Sequence, residues 1–305
     1  MSGYIPLHCH SSFSFHAGVP SVSELVARCK HLGMSAAALT DTDRVSGLIL
    51  FYTECLRQGI KPILGVELTD PGPSGQRVDA AGVTGKTRVV ALARNADGYG
   101  DLCQLTTRRH LEAASFSLSE ELARPWRDLI LITADPSMLR SLARGANRER
   151  LYGELVHHCE RTRRNSAQLQ VVARELDVPT VASNDAFFLQ REDWETHRIL
   201  TAIGLNSTLS RLQREELASE RAYLCGTAEM ERAFDAWPQA LANTFRVAES
   251  CDVELDLGRW IMPRVSVPAG HSPESYLAEL AAAGLESNYS SSDAATQALV
   301  VARHG

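Results

Sequence analysis

Apolar positions along this chain fall in short runs separated by stretches of helical spacing, and that alternation sets the expected order of elements. Residues 4–7, 35–39, 61–66, 88–93, 129–133, 151–156 and 179–182 read as seven strands. Between them, residues 20–32 place Val22, Leu25, Val26, Cys29 and Leu32 on one helical stripe stopped by Gly33, and residues 45–57 form a second helix stopped by Gly59. Residues 98–109, 165–176 and a segment starting near Asp193 read as further helices. The Gly/Pro-rich stretch 70–85 (DPGPSGQRVDAAGVTG) reads as a surface loop. Strands alternating with helices predict an α/β fold with a parallel, helix-covered sheet, either open or closed into a barrel.

After Thr201 the strand pattern stops. Residues 227–234 and 238–250 have helical spacing, so 204–257 reads as a helical attachment to a barrel domain over 1–203. Beyond it, 260–268 is Pro-bounded and extended, 272–284 is one amphipathic helix, and the apolar run 298–302 has nothing in sequence to pack against, which reads as a chain cut short. No repeat of fixed period occurs.

Composition narrows the function classes. With 44% hydrophobic residues, a mean hydropathy of -0.15 and no apolar run near the roughly 20 residues of a bilayer crossing, no membrane span is expected. A formal net charge of -6 gives no general attraction to nucleic acid, and aromatic residues, 6% of the chain, do not interleave with basic ones, so DNA contact should be weak. No secretory signal is recognisable at the N-terminus, which makes the cytoplasm the expected location. Seven cysteines lie singly with no CxxC pair, fitting neither a disulfide framework nor a structural zinc module.

In sheets of this class chemistry sits at the C-terminal strand ends. The seven predicted strands deliver there, in order, His8 with His10, Asp41 with Asp43, Glu67, Arg94 with Asn95, Asp135, His157 with His158, and Asp185. His8 and His10, two apart on an extended segment, share a face and can hold one ion together. Each residue also has an ordinary reading: His10 can cap the turn at Ser11 and Ser12, Asp41 can cap a helix, Glu67 can be surface, and Asn184 and Asp185 are good turn formers. Adjacent His157 and His158 point to opposite faces. Imidazoles and carboxylates on most strand ends are what a divalent-metal phosphoesterase needs. No GxSxG, GxxxxGK[ST] or GxGxxG motif is present.

Several stretches in order carry a family resemblance: HCHSSFSFHAG, LGMSAAALTDTDRVSGLILFYTECLRQGIKPILGVEL, RNADGYGDLCQL, LYGEL with His158, PTVASNDAFF and PQALANTFRVAESCDVELDL. Together they resemble the N-terminal PHP (polymerase and histidinol phosphatase) domain of bacterial DNA polymerase III alpha subunits, the first motif being most similar to the error-prone branch. The resemblance covers about residues 4–257, and 260–289 is similar to the start of the polymerase part. On that basis 258–305 is expected to begin a polymerase region cut short.

The resemblance implies a distorted seven-stranded (β/α)7 barrel and, where the family site is intact, a three-metal cluster supporting 3′-to-5′ exonuclease activity. Matched position by position, the remaining ligands are His8, His10, Glu67 and Asp185. Ala17 and Thr42 stand where the pattern has an aspartate and a histidine, Phe187 stands for the late histidine, and the expected cysteine falls near Ala134 or Asp135. Alanine and phenylalanine offer no lone pair to an ion, and a threonine hydroxyl is a poor substitute for imidazole. His16, beside the missing aspartate, points differently from it.

These losses predict no catalytic residue and no full cluster, with at most one weakly bound zinc or manganese ion. Three functions follow from this reading. The chain is a scaffold PHP module whose partner is the polymerase core of its family or other replication and repair proteins; or a working metal-dependent phosphoesterase or 3′-to-5′ exonuclease; or a stand-alone interaction module. The resemblance ends before any polymerase palm motif, so the chain by itself should not extend DNA.

Overall fold

The structure, a computed structural model, describes residues 3–70, 87–260, 265–289, 296, 298 and 299. The loop read over 70–85 lies outside them except for Asp70, as do 261–264 and all of 298–302 but its first two residues. The chain divides into two compact units, Met1–Leu255 and Asp256–Gly305.

In the first unit a six-stranded sheet runs in sequence order: β1 (Ala36–Leu39), β2 (Lys61–Thr69), β3 (Arg88–Ala93), β4 (Leu129–Thr133), β5 (Leu151–Val156) and β6 (Thr180–Ser183). Almost every strand residue is buried, as expected when both faces of a sheet are covered. The helices around it are α1 (Val22–His31), α2 (Leu48–Gln58), α3 (Ala96–Leu111), α4 (Leu118–Ala123), α5 (Pro136–Leu142), α6 (Glu160–Leu176), α7 (Trp194–Gly204), α8 (Thr227–Ala233) and α9 (Pro238–Ser250). Their ends follow local chemistry. Ser21 and Glu24 form a capping box at α1, and Gly59 ends α2 in the left-handed conformation at φ 70°. The short helices α4 and α5 have no counterpart in the sequence reading; Asp135 caps α5 by accepting from the Ser137 and Met138 amides.

Two expectations are corrected. Residues 4–7 do not form a ladder strand. They belong to an extended segment that seals the gap between the sheet's edges: the Ala38 amide donates to Pro6 O at 2.8 Å, Thr40 to Cys9 O at 2.9 Å, His10 to Ala186 O at 2.8 Å and Ala186 to His8 O at 3.1 Å. Pro6 has no N–H to give a ladder. In addition, Ile5 and Leu7 join the interior apolar cluster while His8 and His10, of the opposite parity, reach the same interior, so the two-residue alternation slips between Leu7 and His8.

The sheet is also not all parallel. β3 pairs antiparallel with both β2 and β4, whereas β1 with β2, β4 with β5 and β5 with β6 are parallel. A parallel return needs a crossover of a dozen or more residues, usually helical, and the Gly/Pro-rich sequence between β2 and β3 has no helical period.

The interior facing the strands' inner side is split along its length. At one end Ile5, Leu7, Ile63, Leu92, Ile132 and Val181 form an apolar floor with Val247 and Ala248 of α9. That helix is fastened by Asn243 Nδ2 donating to Thr180 O at 2.8 Å and by the Ile5 amide donating to Thr244 Oγ1 at 3.2 Å. Further along the same inner faces come Glu67, Arg88 and Glu154, so the other end is polar. The second unit contains α10 (Pro273–Tyr289), with Leu277 and Leu280 exposed. No helix among the described residues is long and apolar enough to cross a membrane.

Candidate metal centre

The polar mouth is assembled from three parts of the chain. The sealing segment brings His8 and His10, β2 brings Glu67, and the turn after β6 brings Asp185, whose φ of 38° suits an aspartate better than most residues. One ligand atom from each lies within 4.8 Å of all the others, and all four residues are buried. His8 Nε2 is 3.2 Å from His10 Nε2, 3.3 Å from Glu67 Oε1 and 3.4 Å from Asp185 Oδ1, and His10 Nε2 is 3.2 Å from the same Asp185 oxygen. A tetrahedral ion with bonds of about 2 Å would set its donors about 3.3 Å apart.

The hydrogen-bond partners dictate which ring nitrogens face the cluster. Ser14 Oγ gives its proton to Asp41 Oδ1 at 2.7 Å and so accepts from His10 Nδ1 at 3.0 Å; Glu154 Oε1 accepts from His8 Nδ1 at 2.7 Å. Both Nε2 atoms are therefore turned toward the carboxylates. With neutral rings, four acceptors converge and demand a proton or a cation among them. Burial opposes charge on His8, but Glu154 and Asp185 outweigh it and hold its pKa well above the usual histidine value. Burial would likewise raise Asp185, yet His8 and Arg88 hold it well below the carboxylate range, and Arg88 with His8 and His10 pulls Glu67 down to about 2 against the same burial.

Arg88 is the residue the sequence reading missed. As β3 is reversed, its first residue rather than its last arrives at the mouth. Arg88 stands diagonal to Glu67, which pairs with Val90, and donates from Nη1 to Glu67 Oε1 at 2.7 Å and from Nη2 to Asp185 Oδ2 at 3.1 Å. Arg94 and Asn95, expected at the mouth, lie at the far end: Asn95 caps α3 and the Arg94 amide donates to Asp128 O at 2.9 Å. Glu154 was also missed; a lone acid inside the apolar strand LYGELV is the signal that could have found it, because a buried carboxylate needs a partner.

The other candidates sit around the cluster. Asp41 accepts from the Ser11 amide and from the Ser11 and Ser14 hydroxyls, each at 2.7 Å, and so pins the turn that follows His10. Asp43 binds the Thr69 amide and hydroxyl and Arg109. His158 Nε2 donates to Asn184 O at 2.7 Å, while His157 is turned away, stacked on Phe234. Asp135 is spent on its helix cap, and His16 is exposed.

The same geometry tests which ions the residues suit. Four converging imidazole and carboxylate atoms suit one divalent ion. Around them, Ala17 presents a methyl group, Thr42 donates its hydroxyl to Glu67 Oε2 at 2.9 Å, and Phe187 lies flat on His10 with ring centroids 4.0 Å apart and planes at 9°.

A family model described as PHP domain matches residues 6–161. The chain is 27% identical to a DNA polymerase III subunit alpha of Pseudomonas fluorescens over 95% of its own length and 26% of that protein's, and 29% identical to the corresponding subunit of Pseudomonas aeruginosa over 93% and 25%. It thus spans about a quarter of the length of the curated relatives it matches. An amidohydrolase structure from Chromobacterium violaceum aligns with a TM-score of 0.40 at 15% identity, covering 60% of this chain and 87% of the other.

Proposed function

Since the chain belongs to the PHP domain family, we propose that these 305 residues are a non-catalytic PHP module of a DNA polymerase III alpha-type protein, with a remnant metal centre kept as part of a scaffold. The observation that carries this reading is Phe187 packed face to face on His10, an aromatic ring where a further ligand would have to stand. His8, His10, Glu67 and Asp185 could hold one zinc or manganese ion weakly. Such an ion would supply Lewis-acid charge, but chemistry on a phosphodiester by this family's route uses a cluster that the surrounding residues do not complete. The barrel with its α8–α9 attachment then serves as a packing surface for a polymerase core, and DNA contact by these residues alone is weak. The likeness to replication polymerases supports that setting.

A second reading, metal-dependent trimming of DNA 3′ ends, is favoured by the convergence of the four donors alone. One experiment separates the two. The 305-residue protein is incubated with labelled primer-template and single-stranded DNA, with added manganese or zinc. The scaffold reading expects neither extension nor shortening. Metal-dependent shortening that is abolished by His10→Ala and by Asp185→Ala would overturn it, and primer extension would overturn the absence of a polymerase site.

A further inference from the structure

The remnant centre contains a cation of the protein's own. We propose that the Arg88 guanidinium takes the place of an ion in this mouth: it spans Glu67 and Asp185, closes the barrel end without metal, and keeps divalent ions out. This rests on the reading of the centre as a remnant and explains why its four well-placed donors should bind an ion only weakly.

Three observations carry it. First, the oxygen of Glu67 that faces His8 is the one Arg88 holds, at 2.7 Å, and the other Glu67 oxygen is taken by the Thr42 hydroxyl. An ion bound through Glu67 must therefore share its oxygen with the arginine or the threonine, and against the arginine it also meets like charge. Second, Arg88 reaches both carboxylates at once, Asp185 Oδ2 being 3.1 Å from Nη2. A planar fork matched to two acceptors is worth more than a point charge against one. Third, the two carboxylates come from β2 and from the turn after β6, far apart in sequence, so the arginine ties the hairpin β2–β3 to the sealed edge of the barrel. That is the mechanical work a metal does when it clips distant strands together.

Charge balance agrees. Glu67, Asp185 and Glu154 are three buried acids facing Arg88 and His8. Without Arg88 the site would hold an excess of buried negative charge, which is costly unless a cation enters. Removing the arginine should therefore turn the weak metal site of the wild-type protein into a strong one.

The test is zinc and manganese titration of the wild-type protein and Arg88→Gln, by calorimetry and by elemental analysis after dialysis, together with thermal melts with and without chelator. Wild type is expected to melt at the same temperature with and without chelator and to retain less than one ion per chain. Arg88→Gln is expected to melt lower without metal, to regain stability with zinc, and to bind at least about tenfold more tightly. Equal affinities for the two proteins, or a chelator-sensitive wild type, would overturn the proposal. If Arg88→Gln does not fold without metal, Arg88→Lys serves, since it keeps the charge but cannot span both carboxylates; a smaller rise in affinity supports the proposal and no rise overturns it. Two or three ions held tightly by the wild type would instead overturn the remnant reading itself.

Discussion

His197 on α7 donates from Nδ1 to the carbonyl of Ala17 at 2.8 Å, and its Nε2 accepts from the Ala218 amide at 3.0 Å. One ring thus joins the turn after His10 to the segment that follows α7, and both bonds require the neutral imidazole. Burial, with His10 nearby, holds its pKa below the ordinary 6.5. The unfolded chain therefore takes up a proton near pH 6.5 that the folded chain refuses. Stability from this residue is complete above about pH 6.5 and is lost as pH falls below it toward the folded pKa. His157 and His158 are shifted the same way by burial, and His8 the opposite way. Urea unfolding between about pH 5 and about pH 7 should show stability rising with pH. His197→Gln should flatten the slope by up to about 1.4 kcal/mol per pH unit, the value of one proton; an unchanged slope would contradict this account.

Phe187 is enclosed by Ala17, Phe188, Ala218 and Ala222 as well as by the face of His10. Phe187→Ala should cost about 3–5 kcal/mol, the usual penalty for emptying an aromatic core site, and Phe187→Leu should cost less. Denaturant midpoints would check both. A loss below 1 kcal/mol for Phe187→Ala (about a third of the smallest expected value) would mean that the pocket collapses or was never packed.

Gly18 is required by crowding. A Cβ there would lie 1.9 Å from the carbonyl oxygen of Ser11, inside any permitted contact and against backbone that cannot swing away. Gly18→Ala is expected to force the turn open and to lower the melting temperature by several degrees, whereas Gly100→Ala on α3, where no atom lies within 4 Å, should be neutral or slightly stabilising. Equal effects from the two substitutions would count against the turn as described.

Asp41 holds the first turn through three donors. Asp41→Asn keeps the shape but turns one acceptor into a donor facing the serine hydroxyls, and about 1.5–3 kcal/mol should be lost. Ser14 Oγ would then be free to reorient, and the tautomer of His10 should change with it. Ring-nitrogen chemical shifts of His10 report this directly, and a preserved Nδ1–H tautomer would show that Ser14 does not set it.

The order of the sheet strands and most helices was legible in the sequence, because apolar runs and helical stripes are local signals. The pattern around His8, His10, Glu67 and Asp185 was legible as a set of strand ends, and the structure draws those four together. What the pattern could not give was direction. Nothing in RVVALA distinguishes a strand running up from one running down, so the inversion of β3 hid Arg88 and put Arg94 and Asn95 at the wrong end. Glu67 was read as a strand end although it pairs with Val90 inside the β2–β3 ladder. Likewise, an alternation that slips by one residue after Leu7 looks like a strand in sequence while its hydrogen bonds are divided between two neighbours. Long-range electrostatics, such as the partnership of Glu154 with His8, leave no periodic trace.

The sealing segment has a consequence for the order in which the molecule is made. Residues 5–10 are synthesised well before their partners on the far side, Glu154 and Ala186, which follow only after most of the barrel has been made. Until then the segment can settle only against the near side, Ala38, Thr40 and Glu67. The segment is therefore held on one side only until the far edge exists, and His8 and His10 meet Glu154 and Asp185 when the barrel closes.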